Sequence, residues 1–219
     1  MTYHLRRFVG LGSQPEHKRN FEELFGEEEV AAEAAALSGD MRERFLVQKY
    51  ADNLKRFAGF KYTSTAAVFR SAEDTIHYYL VFGTNSPHGI KVFKDAERVA
   101  FEIGESARDE AKSRKREART GQTEMDVFGE GLRPQSAFAL DLRESYQQQA
   151  RKTLDALLPA GISLSYDVIL GTVLQIPLVW ESDLLTWIDE LIAKGRVTVS
   201  PPLGRKKLRL DSEFTLTGS

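Results

Sequence analysis

Three consecutive cations, Arg205-Lys206-Lys207, follow Gly204 near the C-terminus, and they are the residues of this chain best suited to meet phosphate. At a hairpin tip such side chains neutralise backbone charge and fix register without reading sequence. An exposed turn also carries charge simply for solvation, so the motif admits both readings. A second charged run, Arg108 to Arg119, has six basic and three acidic residues. It could serve as a basic arm for nucleic acid. Asp109, Glu110 and Glu117 sit among those cations and partly cancel them, which favours a solvated charged helix or a mobile tether.

The residues of acid–base, nucleophilic and metal chemistry are present but not grouped. His4, His17, His77 and His88 fall at no spacing typical of a metal-binding pair. Ser64, Thr65 and Ser86 lack the strand–turn–helix context of a nucleophile elbow. Asp40 and Asp52 have no evident carboxylate partner, and neither a G-x-G-x-x-G fingerprint nor a phosphate-binding P-loop occurs. By itself the chain is therefore expected to be non-catalytic, with no cofactor and no metal.

The whole-chain balance agrees. Thirty basic and 32 acidic residues leave a net charge of −2, so no global cationic field draws the molecule to nucleic acid or membrane. There is no cysteine, which excludes disulfides and thiolate metal sites and fits a reducing compartment. No apolar run approaches the roughly 20 residues of a membrane span, and Met1-Thr-Tyr-His-Leu-Arg-Arg7 lacks the apolar core of a signal peptide. The expectation is a cytoplasmic protein.

The elements that must position these residues follow from periodicity. Phe21, Leu24 and Phe25 suggest a short helix ending at Gly26, and Glu27 to Leu37 is alanine- and glutamate-rich. Asp40, with Glu43 three residues on, reads as the cap of a helix through Phe57 that stops near Gly59. Tyr62 to Phe69 and Thr75 to Thr84 are β-branched and aromatic, and the short polar connector makes them an antiparallel hairpin. Ile76 to Phe82 is nearly continuous in apolar character, which predicts burial on both faces and helices on both sides of the sheet. Ile90 to Ile103 reads as a helix, and Gly121 to Gln135 as a linker.

Beyond the linker, amphipathic helices are expected over Leu140–Leu158, Ser165–Gln175 with Ser165 as N-cap, and Glu181–Lys194. Then come a strand at Arg196–Ser200, the basic turn, and a strand at Leu208–Leu210. Helices followed by a strand, a basic turn and a strand make a winged helix, because the hairpin closes one side of a three-helix core. Its third helix bears Glu181, Asp183, Asp189 and Glu190 on the face expected to be exposed. That acidity would repel phosphate, and so favours a protein partner.

The runs Asn20-Phe-Glu-Glu-Leu-Phe-Gly26, Tyr50-Ala-Asp-Asn-Leu-Lys55, Gly59-Phe-Lys-Tyr62 and His77-Tyr-Tyr-Leu-Val-Phe-Gly-Thr-Asn85, with Gly89, resemble the C-terminal half of the three-Cys-motif partner proteins. Those proteins are distant relatives of S-adenosylmethionine-dependent methyltransferases. The resemblance implies an α+β chain: a partial methyltransferase-like unit over 1–120, a linker at 121–135 and a winged helix over 136–219. The family's strand, glycine-rich turn and helix for the cofactor have no counterpart here, so no cofactor residue is carried over.

The family also implies a phage or bacterial setting and a partner with three clustered cysteines, similar to radical S-adenosylmethionine enzymes. The reading that follows is an interaction protein. Its winged helix docks nucleic acid or a protein, with Arg205, Lys206 and Lys207 as the phosphate contacts. Its N-terminal part completes a sheet with another subunit, either a separate chain or a second copy in a homo-oligomer. Two alternatives stand beside it: a subunit of a split methyltransferase acting on nucleic acid, and a small winged-helix DNA-binding regulator.

Overall fold

The structure is a computed structural model, and it describes residues 25, 29–70, 73–120, 136–202, 208 and 215–218. Helices α1 (Val30–Ala36) and α2 (Gly39–Ala58) lead into strands β1 (Tyr62–Phe69) and β2 (Ile76–Thr84), followed by helix α3 (Pro87–Thr120). The C-terminal part has α4 (Ala137–Leu157), β3 (Ser163–Ser165), α5 (Tyr166–Val173), α6 (Glu181–Ala193), β4 (Val197–Ser200) and β5 (Thr215–Gly218). The described residues are thus mixed helix and strand with two small antiparallel sheets, one ordered β1-β2 and the other β3-β5-β4. No helix among the described residues is long and apolar enough to cross a membrane.

Local chemistry explains most boundaries and corrects some expectations. Helix α2 is capped by Ser38, not Asp40, which lies inside the first turn. The chain reaches that cap in extended backbone at Ser38, and Gly39 already opens the helix, so the expected cap is two residues late. Gly59 closes α2 with a φ of 68°, the left-handed conformation that glycine adopts without Cβ strain. Ser165 is the N-cap of α5, as its sequence position suggests. The strand pairing with β4 is Thr215–Gly218. Leu208, expected to open that strand, is buried but lies in no strand, and 209–210 fall outside the described residues. The short β3, on the far side of β5, is Ser163-Leu164-Ser165 and carries no strand signal in its residue types.

The largest difference concerns α3. It runs unbroken through 34 residues, joining the expected helix at Ile90–Ile103 to the charged run that follows. Pro87 opens it at the first helical position, where a missing N–H costs nothing, and neither proline nor glycine beyond Gly104 interrupts it before Gly121. Arg108, the first cation of the charged run, is buried. It pairs with Glu105, reaches Asp74 Oδ1 at 2.7 Å and lies 5.1 Å from the Phe69 ring centre. This arginine anchors the helix to the hairpin and is no part of a basic arm.

Strand β2 is not buried on both faces. His77 is exposed and Leu80 retains 46% of its surface, whereas Tyr62 to Ala67 of β1 are all buried. Alternate residues of β2 point to opposite sides. Phe82 stacks on Phe93 of α3 at 4.9 Å, while the Tyr79 hydroxyl meets that of Tyr146 on α4. Helices therefore pack against the hairpin, but their cover of β2 is incomplete. The continuous apolar run arises from aromatic side chains on faces that remain partly open.

One core links the hairpin to the C-terminal helices: Tyr62, Tyr79, Ile90 and Phe101 cluster with Leu142, Tyr146, Leu170 and Ile188. The boundary expected at 121–135 lies outside the described residues.

Candidate interaction site

Between the hairpin and α3 lies an open groove of about 350 Å³, lined by Ala67, Phe69, Leu80, Ala96, Ala100 and Gly104 among others. Its width follows from residue size. Ala96, Ala100 and Gly104 recur every four residues, which sets them on one side of the helix, and a Cβ added at Gly104 would meet nothing within 4 Å. Larger side chains at these positions would close the space that the small ones leave.

Two buried ion pairs form the polar margin of this groove. Lys94 is 1% exposed; its Nζ donates to Glu97 Oε2 at 2.8 Å, the Ile176 carbonyl at 2.7 Å and the Thr65 carbonyl at 3.4 Å. Burial pushes this ammonium below the ordinary lysine range, while the adjoining Glu97 carboxylate pulls the other way. Glu97 Oε1 in turn accepts the Leu178 N–H at 3.1 Å. Farther along α3, Arg108 and Glu105 pair, and Glu105 also accepts from the backbone and hydroxyl of Ser136 at 2.9 and 3.0 Å. Every one of these charges is used in holding elements together, so the groove is apolar with structural charges at its edge.

The acidic residues of α6 are also spent inside the molecule. Glu181 pairs with Lys91 and accepts from the Tyr166 hydroxyl at 3.1 Å. That carboxylate, hydrogen-bonded to Lys91, raises the lysine above its ordinary value. Asp183 receives Arg143 at 2.7 and 2.9 Å and caps the helix through the Trp180 N–H at 3.0 Å. Glu190 pairs with Arg151 at 3.1 Å. Only Asp189 of the four is exposed, the others being partly buried, so the acidic outer face expected for this helix does not exist as such. Partners from α3 and α4, far apart in sequence, neutralise it.

Other residues singled out by type have ordinary surroundings. Ser64 is buried and donates to the Leu174 carbonyl at 3.0 Å, and Ser86 accepts the His88 N–H at 3.2 Å at the start of α3. His77 and His88 are exposed, and no group of three His, Asp or Glu able to hold a metal ion forms among the described residues. His4, His17 and the cations Arg205, Lys206 and Lys207 lie outside the described residues. Residue spacing marks Ile90–Ile103 as a helix, but the groove depends on how that helix packs against the hairpin, which no local pattern records. No family model, no curated protein and no solved structure matches this chain.

Proposed function

We propose that this chain is a non-catalytic interaction subunit of the three-Cys-motif partner type, whose hairpin completes a sheet with another polypeptide. The observation that carries the reading is the outer edge of β2. Among the described residues this nine-residue strand pairs only with β1. It contains no proline and no lysine, arginine, aspartate or glutamate. Isolated sheets blunt such edges with charges, prolines or covering elements, because unpaired N–H and C=O groups recruit strands. A two-stranded ribbon is also marginal by itself. An edge left plain beside an apolar groove suits a surface that another chain covers.

Hydrogen exchange tests this at the backbone. As protein concentration rises through the micromolar range, or as a partner is added, the outward amides of residues 76–84 should become protected. A species that stays monomeric and whose β2 amides exchange freely in the presence of its genetic neighbours' products would remove the reading.

A second reading concerns the C-terminal part. The order α4, β3, α5, α6, β4, β5, with β5 between β3 and β4, supports reading this unit as a winged helix, and the internal pairing of the α6 carboxylates lifts one objection to nucleic-acid contact. On this reading, replacing Arg205, Lys206 and Lys207 with alanine weakens duplex binding similarly for all sequences. It also lowers the slope of log affinity against log salt by about 3, near one unit per phosphate contact. Absence of duplex affinity in the intact chain at low salt would leave protein docking as the role of this unit.

A further inference from the structure

We propose that the uncovered apolar side of α3 seats an amphipathic helix of a different polypeptide, one whose apolar stripe is flanked by lysine or arginine. The proposal rests on the interaction-subunit reading and names the chemistry of its partner.

The first half of α3 is apolar over far more of its circumference than the described residues cover. At about 100° per residue, the buried positions Ile90, Phe101 and Arg108 and the groove positions Phe93 and Gly104 occupy one side. Val92, Ala96, Val99, Ala100 and Ile103 continue the apolar surface, bringing it to an arc of roughly 200°, against the ~100° stripe of an ordinary surface helix. Val92, Val99 and Ile103 keep 55%, 49% and 65% of their surface. With Ala96 they recur at i, i+4, i+7 and i+11, the spacing of a seam that receives another helix. The seam stops where Ser106 and Glu110 take the next positions, so it is about three turns long. Leu80 of β2, 46% exposed, extends it across the groove.

Charge decides which helix fits. Bordering the seam away from the hairpin are Asp95 and Glu102, one heptad apart. Asp95 is half-exposed and lies 3.3 Å from Lys91, whose ammonium is also engaged by Glu181. Glu102 is exposed, and Arg98 stands one step farther round the helix, behind this acidic row. A second copy packed antiparallel on the seam would bring Asp95 of one molecule against Glu102 of the other, a like-charge contact that disfavours self-association. A partner helix with cations beside its apolar stripe meets the same row favourably.

Two short amphipathic helical peptides with an identical leucine–alanine stripe, one flanked by lysine and the other by glutamate, distinguish the cases when titrated into the full chain by fluorescence anisotropy. The lysine-flanked peptide should bind about tenfold more tightly, the scale of two rim charge pairs changing sign. Glu102→Lys should erase or reverse that preference. Ile103→Asp and Gly104→Leu should each abolish binding while the thermal midpoint holds or rises, since both side chains project into open space. Equal affinity for the two peptides overturns the proposal, as does binding of neither, the result if the chain itself fills the groove. So does a concentration-dependent dimer that Ile103→Asp dissolves, which would assign the seam to a second copy. Hydrogen exchange in the same samples keeps the two readings apart. Protection gained at β2 without any at α3 sinks the helix-docking proposal and retains sheet completion, and the reverse pattern does the opposite.

Discussion

Replacing Lys94 with methionine should lower the unfolding free energy by about 3–5 kcal/mol, the cost of breaking a buried ion pair from one side. Methionine is close to lysine in volume and fits the buried site, so a cavity contributes little. The loss comes from what remains. Glu97 keeps its charge with the ammonium gone, and the carbonyls of Thr65 and Ile176 lose the donor they share. Those acceptors belong to β1 and to the turn between α5 and α6, so one side chain on α3 ties three parts of the fold. The double variant Lys94→Met, Glu97→Gln should recover part of the deficit. It removes the stranded charge while leaving a side-chain oxygen to accept the Leu178 N–H now bound by Glu97. Urea unfolding of the three proteins checks this. A single variant within about 1 kcal/mol of the parent, the scale of an exposed pair, would show that Lys94 is not buried as described.

Gly171→Ala should destabilise, against the direction that helix propensity gives. Alanine in a helix interior is favoured over glycine by up to about 1 kcal/mol. A Cβ at 171, however, would lie 2.5 Å from Cε1 and 2.9 Å from Cζ of the Tyr62 ring. That ring is 5% exposed and held within the core, so it has little room to withdraw. Overpacking of this kind costs about 1–3 kcal/mol, which exceeds the propensity gain. Gly104→Ala is the control: the same change, also in a helix, but with no atom within 4 Å of the new carbon, so it should stabilise. Thermal midpoints moving in opposite directions for the two variants would confirm the close approach of α5 to β1. A gain at both positions would refute it.

The amino-acid sequence by itself determined much of the secondary structure. The hairpin, the helix ending at Gly59, the cap at Ser165 and the helix at Glu181 are all legible, because they depend on periodicity, β-branched runs and terminal residues acting over a few neighbours. The α+β class follows from the same signals. Composition likewise limits the chemistry, since no arrangement of a chain without cysteine makes a thiolate site.

Only the tertiary structure decided what those elements do to one another. Ile76 to Phe82 reads as a doubly buried strand, yet its burial depends on how far α3 and the C-terminal helices extend over it, which no local pattern records. The carboxylates of α6 look like an exposed acidic face until Lys91, Arg143 and Arg151 arrive from elements 39 to 90 residues away in sequence. Arg108 looks like the start of a solvated run, and folding buries it against Glu105, Asp74 and Phe69. In each case the deciding quantity is a long-range contact, set by the packing of whole elements and invisible to residue spacing. The uncovered seam of α3 lies between these limits. Its apolar width is written in the sequence, but which part of that width the chain itself covers is a property of the fold.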